Sequence, residues 1–282
     1  MGDIYLGLLV LAVLSAAMFG AGRAIGRRVS SRAANGLSLL TVVALLGYIG
    51  WVWDKTLLAG LLPFSNLIVL GNWFPLEAGF LGGLASTQFA MPAWRRGVTV
   101  VALQLAGVIV VVFPFLGVAP RCGDAWSEGI CQQTTKQSCS AAAAATLLKL
   151  HGIGATEQEM ADLCLTRRGT NWMGLYRGLK LKTAGTEWEV VVFTSSVNEL
   201  RSLQSPAILS VGMARETPSD RLYQTELGWR PGLRHSVVLL GYVTDLIEIG
   251  EPTPDVGRER WTNDELQELY LGQGMRLVRR AW

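Results

Sequence analysis

Histidine is nearly missing from this 282-residue chain, which contains only His151 and His235. Any imidazole chemistry must therefore use one of two positions. Cysteine is scarce as well: there are four, and no second pair of ligands stands at a spacing that would complete a zinc site, so no metal is expected. The phosphate-cradling loop G-x-x-x-x-G-K-S/T is absent, which argues against a nucleotide as cofactor or partner. Charge is lacking over the first 120 residues, which carry only Asp3, Arg23, Arg27, Arg28, Arg32, Asp54, Lys55, Glu77, Arg95 and Arg96.

What those 120 residues do contain is apolar length. Uncharged runs cover 4–22, 33–53, 56–76, 78–94 and 97–120, and about 20 mostly apolar residues cross a bilayer as a helix. The run 78–94 is short, rich in glycine and alanine, and interrupted by Gln88 and Pro92. It reads either as a re-entrant or interfacial piece or as a continuation of the third run. The first run is not patterned as a cleavable signal, because four arginines follow it and none precedes it. Basic residues stay on the cytoplasmic side, so the loop 23–32 belongs inside and the N-terminus outside. If 56–92 crosses once, Arg95 and Arg96 return to the cytoplasm and everything after residue 120 emerges outside. Five spans would reverse that. The four-span version satisfies both basic clusters, and the expected partner of residues 1–120 is the lipid bilayer.

Residues 121–282 differ in kind. They carry 18 basic and 19 acidic residues, so no basic face for nucleic acid emerges, and their length suits one compact domain. Cys122 and Cys131 flank the loop PRCGDAWSEGIC and are candidates for a local disulfide, a bond that persists outside the cytoplasm. Cys164 falls on the apolar side of a helix opened by Thr156 and Glu159 and reads as a small core residue. Helices are predicted near 139–151, 157–165 and 172–180, with a short one over 197–204 and another behind the capping pair Thr262 and Glu265. Runs rich in β-branched residues at 188–193, 207–212, 235–243, 246–250 and 275–279 predict strands. Helices first and strands second describe an α+β domain with an antiparallel sheet.

Within it, Gln133 and Cys139 stand six residues apart before an alanine-rich helix, and His235 opens the strand HSVVLLGYV. A thiolate is the attacking form of cysteine, and both a helix N-terminus and a nearby imidazole favour it. His151 lies twelve residues beyond Cys139 in the same helix, roughly 18 Å along its axis. It reads as a residue of the helix C-terminus before the Gly152 stop. The base is therefore His235. The alanines at 141–145 make a helix that can approach a sheet closely, and a cysteine at its start is held rigidly while facing a cleft.

These residues carry a resemblance. Residues 133–279 are similar to the bacteriocin-processing, double-glycine leader cysteine peptidases, a family of papain-like fold. The family's glutamine six residues before the cysteine is matched by Gln133 and Cys139. Its histidine opening a hydrophobic strand is matched by His235, with Gly241 following, and its later aspartate-proline reads Glu251-Pro252 here. The resemblance implies Cys139 as nucleophile, His235 as general base and acid, Gln133 as oxyanion donor and Glu251 as the carboxylate orienting the imidazole, with Asp255 as the alternative carboxylate. Two positions depart from the pattern: the usual cysteine-glycine-proline is Cys139-Ser140-Ala141, and the aspartate is a glutamate.

The expectation is an α-helical membrane bundle over 1–120 followed by a papain-like cysteine peptidase domain over 121–282. It would be integral to a bacterial inner membrane, with the peptidase on the extracytoplasmic side, cleaving a peptide or protein without a cofactor. A glycine-rich cleavage site is what the resemblance implies, and cleavage preference should reside in loops such as 213–234. The alternative is a peptidase-like domain that binds peptides with cleavage impaired, prompted by Ser140, Ala141 and Glu251.

Overall fold

The computed structural model describes residues 1–88, 92–203, 206–213, 223–224 and 227–280. They divide into two compact units, Met1–Leu116 and Gly117–Trp282. Half of the loop 213–234, residues 214–222 and 225–226, lies outside the described residues.

The first unit is helical. Long apolar stretches free of proline build α1 (Gly2–Gly26) and α2 (Ser31–Trp51), the second started by the Ser30 hydroxyl accepting the Ala33 N–H at 3.3 Å. After two short turns, α3 (Leu57–Leu61) and α4 (Leu67–Leu70), come α5 (Phe74–Ala85) and α6 (Ala93–Val112). Among the described residues four helices are long and apolar enough to cross a membrane: Gly2–Gly26, Ser31–Trp51, Leu67–Ala85 and Ala93–Phe115. The described residues of the run 78–94 belong to the end of α5 and the start of α6, with no separate helix among them. Glycine lets α1 and α5 meet backbone to backbone. A Cβ on Gly83 would collide with the Phe19 carbonyl, and one on Gly22 with the Phe80 carbonyl, the small-residue contact that replaces hydrophobic driving force between helices in lipid.

The second unit is α+β. A two-stranded ribbon, β1 (Ala125–Ser127) and β2 (Ile130–Gln132), turns at Glu128 and Gly129, both at positive φ, and leads into α7 (Cys139–Leu150). There follow α8 (Glu157–Leu163), α9 (Trp172–Lys182), β3 (Trp188–Thr194), α10 (Val197–Leu200), β4 (Ala207–Val211), β5 (His235–Val243), β6 (Leu246–Glu251), β7 (Gly257–Trp261), α11 (Asn263–Leu269) and β8 (Tyr270–Arg279). The six later strands form one antiparallel sheet in the order β3-β8-β4-β5-β6-β7.

Alternation along the strands sends side chains to opposite faces. Leu209, Val211, Val237, Leu239, Ile247 and Trp261 pack with Leu200 of α10 and with Leu266 and Leu269 of α11. Helix α7 packs against β4, β5 and β6, and its residues Ala141 to Ala145 are fully buried. Removing the side chains of that segment from water is the main stabilising term for the helix that carries Cys139.

Several elements differ from the sequence expectation, beginning with the short strands β1 and β2, which no apolar run announced. Strand β7, GRERW, was not expected, because an edge strand with charged outward residues lacks an apolar run. Strand β8 starts five residues before the expected 275, so the helix behind Thr262 stops at Leu269 and its last apolar residues join the sheet. Thr262 and Glu265 do close a reciprocal capping box. Thr156 caps α8 through the Glu159 N–H, but the Glu159 carboxylate pairs with Lys182 at 2.9 Å instead of closing the box.

Candidate active site

Cys139 is the first residue of α7, and the loop before it is tied down by its own polar side chains. The Ser138 hydroxyl donates to the Thr135 carbonyl at 2.9 Å and accepts the Thr135 N–H at 3.1 Å. One residue earlier, Thr134 donates its N–H and its hydroxyl to the two oxygens of Glu157, each at 2.8 Å. Glu157 is fully buried at the start of α8. Its role was not legible in the sequence, where the first turn of a capped helix reads as solvated surface.

His235 is the first residue of β5, paired with Val211 of β4. Glu251 is the last residue of β6. The hairpin that turns at Thr244 and Asp245 folds the strand back until Glu251 meets His235, with Glu251 Oε1 and His235 Nε2 2.7 Å apart. Glu251 has no solvent exposure and the His235 side chain is 13% exposed. The same Oε1 accepts the Thr253 N–H at 2.8 Å and its hydroxyl at 2.6 Å. With Nε2 so engaged, Nδ1 is the ring atom left for the Cys139 thiol, with which the imidazole interacts electrostatically. Trp229 lies against the imidazole with ring centroids 4.8 Å apart, screening it from water.

Electrostatics follow from this placement. Burial opposes a charged imidazole, but the carboxylate of Glu251 and the sulfur of Cys139 outweigh it and push the His235 pKa up to about 10. Burial likewise opposes the thiolate. The His235 charge and hydrogen bond, the Ser236 N–H and the Ser140 hydroxyl together outweigh that and hold Cys139 below the ordinary thiol range. The N-terminus of α7 acts in the same direction. The favoured state is a thiolate–imidazolium pair whose protons titrate jointly.

Gln133 follows β2 directly, and its backbone N–H donates to the Pro252 carbonyl at 2.6 Å. Its side-chain Oε1 is buried without a hydrogen-bond partner among the described residues. Asp255 does not reach His235: it is exposed, sits at φ 68°, and offers its N–H to Gln132 Oε1 at 3.0 Å. Gln132 thereby pins the loop that follows Glu251. Of the two carboxylates left open by the sequence, the hydrogen bond goes to Glu251.

The disulfide expectation meets a correction. Cys122 and Cys131 are both free thiols in this structure. The tight turn sets a ribbon register in which Cys131 faces Trp126, and Cys122 lies three residues before the Ala125–Gln132 pair, on the far side of it from Cys131. The Cys122 N–H is held by Gln158 Oε1 at 2.7 Å and the Cys131 N–H by Thr146 Oγ1 at 2.9 Å. Burial and the Glu157 charge push the two thiols up to about 11 and about 12. His151 caps the C-terminus of α7, with Nδ1 2.8 Å from the Leu147 carbonyl and its ring edge-on to Trp188. Cys164 is buried beneath α9, where a Cβ on Gly178 would strike its sulfur. Among the described residues no three His, Cys, Asp or Glu side chains gather as a metal-ligand set.

Neither a scan against protein-family models nor a search of curated proteins found a match. Solved structures similar to this chain include the peptidase domain of Streptococcus ComA, a bifunctional ABC transporter involved in a quorum-sensing pathway. It shares 20% identity over 53% of this chain and 96% of its own, with a TM-score of 0.42. Another is a double-glycine motif protease from an AMS/PCAT transporter in complex with leader peptide, at 16% identity, 58% and 95% coverage, and a TM-score of 0.41. The peptidase domain of Streptococcus mutans ComA gives 20% identity, 53% and 98% coverage, and 0.35. The chemistry assigned to the site rests on its own geometry.

Proposed function

We propose that residues 117–282 form a cysteine endopeptidase domain carried by a membrane-spanning helical bundle. The observation that supports this most is His235 Nε2 held 2.7 Å from Glu251 Oε1, with the same imidazole coupled electrostatically to Cys139 at the start of a buried core helix. Sulfur attacks a peptide carbonyl, and the Cys139 N–H with the Gln133 amide stabilises the oxyanion. The imidazolium then protonates the leaving amine, and water releases the acyl group with His235 as base. Glu251 keeps Nδ1 aimed at sulfur and balances the imidazolium, a role in which the extra methylene of glutamate is taken up by the Thr253 contacts. The substrate is a peptide or protein, and a glycine-rich cleavage site fits the resemblance.

The reading as an impaired, peptide-binding domain drew on Ser140, Ala141 and Glu251. Glu251 reaches His235, Ser140 is engaged by Ser236 at 2.8 Å and Ala141 is packed in the core, so none of the three positions leaves a gap in the site. For the membrane half, single crossings by Leu67–Ala85 and Ala93–Phe115 support an orientation with Arg95 and Arg96 at a cytoplasmic end and residues after 116 outside. With both thiols free, this orientation rests on the arginines alone.

The test is chemical. The intact chain in detergent is treated under reducing conditions with a peptide-based electrophile directed at cysteine peptidases, and the adduct is mapped by mass spectrometry. Selective modification of Cys139, lost in Cys139→Ala along with peptide cleavage, is expected. Modification spread over Cys122 and Cys139 alike would remove the enzyme reading.

A further inference from the structure

The two catalytic positions have neighbours that touch each other. Ser140, next to Cys139, and Ser236, next to His235, are both buried, and their hydroxyl oxygens lie 2.8 Å apart across 96 residues of sequence. The Ser140 hydroxyl is also 4.0 Å from Cys139 Sγ. A hydroxyl has one proton to donate and two lone pairs to accept with. If Ser236 donates to Ser140, the Ser140 proton is free to point at the sulfur. The reverse arrangement would aim a lone pair at a thiolate and is disfavoured by charge. The Ser236 backbone N–H also favours the thiolate, so the sulfur has both the imidazole of His235 and a short chain of hydroxyls to hold its charge.

We infer that Ser140 is a further catalytic residue, donating a hydrogen bond to the Cys139 thiolate, and that Ser236 is a positioning residue that orients the Ser140 proton. This rests on the reading of Cys139 as the nucleophile. It explains how a chain with serine where the resembled family has glycine keeps its nucleophile activated: the side chain takes part in holding the negative charge. The hydroxyl chain would be strongest in the free enzyme and in the thiolate leaving from the acyl-enzyme. It would be weakest in the acyl-enzyme itself, where sulfur carries no charge. The pair therefore acts on sulfur basicity more than on peptide binding.

The experiment is a pH series of iodoacetamide alkylation of Cys139 in the intact chain, read by peptide mass, for wild type, Ser140→Ala, Ser236→Ala, the double variant and Ser236→Thr. Losing a hydrogen bond to a charged acceptor should raise the midpoint for thiolate formation by about one pH unit in Ser140→Ala. A smaller shift in the same direction is expected in Ser236→Ala, with no addition in the double variant and wild-type behaviour in Ser236→Thr. For peptide cleavage, kcat should fall on the acid side with little change in KM. If the serines serve only to join α7 to β5, both alanine variants will melt earlier with unchanged alkylation midpoints, and the proposal is overturned. If Ser140→Ala does not fold, Ser236→Ala against Ser236→Thr carries the same decision. A wild-type Cys139 that alkylates only in the ordinary thiol range would instead overturn the peptidase reading beneath it.

Discussion

Gln133 donates its backbone N–H to the Pro252 carbonyl at 2.6 Å, so the proposed oxyanion donor is tethered to the residue adjoining the carboxylate that holds His235. The two ends of the site, 119 residues apart, cannot shift independently. Cys139 opens α7 six residues beyond this tether, at the end of a loop with few free torsions, because Thr134, Thr135 and Ser138 are each hydrogen-bonded. Preorganisation of this kind lets hydrogen-bond donors favour a transition state without a reorganisation cost.

Gln133→Ala should reduce kcat for peptide cleavage by about a hundredfold to a thousandfold. Iodoacetamide alkylation of Cys139 should keep its wild-type rate, because displacement of iodide forms no oxyanion. Steady-state kinetics and alkylation on the same preparation check both. Parallel losses in the two assays would mean that Gln133 acts on the thiol and not on an oxyanion.

Glu251→Gln retains a group that can hydrogen-bond to Nε2 but removes the charge that opposes burial. The His235 pKa should fall from about 10, the alkaline limb of the cleavage profile should move down with it, and kcat should drop by up to about ten-thousandfold. Asp255→Asn should leave both unchanged, since Asp255 contributes its backbone N–H to Gln132 and not its carboxylate to His235. A larger effect from Asp255 than from Glu251 would reverse the assignment.

The raised His235 pKa also makes stability depend on pH. Its folded value of about 10 lies above the ordinary 6.5, so its contribution is complete below about 6.5 and is lost as pH rises through about 10. Cys139 is lowered, so its contribution is present above the ordinary thiol range and lost as pH falls through the folded value. Denaturant melts of wild type should therefore weaken between pH 8 and 10 by more than those of Cys139→Ala/His235→Ala.

Glu157→Ala would remove a fully buried carboxylate and with it both charge-assisted bonds to the exposed Thr134, whose N–H and hydroxyl can turn to water, and should destabilise the domain by about 1–2 kcal/mol. Thr134→Val should cost less, because it keeps the N–H bond. Urea titration followed by tryptophan fluorescence measures both. Variants no weaker than wild type would show that the loop before Cys139 is held by other contacts.

If Arg95 and Arg96 lie at the cytoplasmic face, a C-terminal epitope tag should be digested by protease added to intact spheroplasts. A tag protected until the cells are opened would put residues 117–282 inside and overturn the proposed orientation.

The sequence by itself determined whatever depends on neighbours a few residues apart. Apolar runs of helical length appear as α1, α2 and α6, β-branched runs as β3 to β6, and Thr262 with Glu265 as a closed capping box. Only the tertiary structure could decide relations set by register between distant segments. The hairpin register of β5 and β6 put Glu251, and not Asp255, on His235. The turn at Glu128 and Gly129 kept Cys122 out of register with Cys131. The packing of α8 against the loop after β2 turned Glu157 from an apparent surface acid into a buried anchor, and the approach of α7 to β5 brought Ser140 to Ser236. The physical reason is that a hydrogen bond demands placement to within a few tenths of an ångström. Periodicity says which face of an element is buried, not which atom of another element it will meet there.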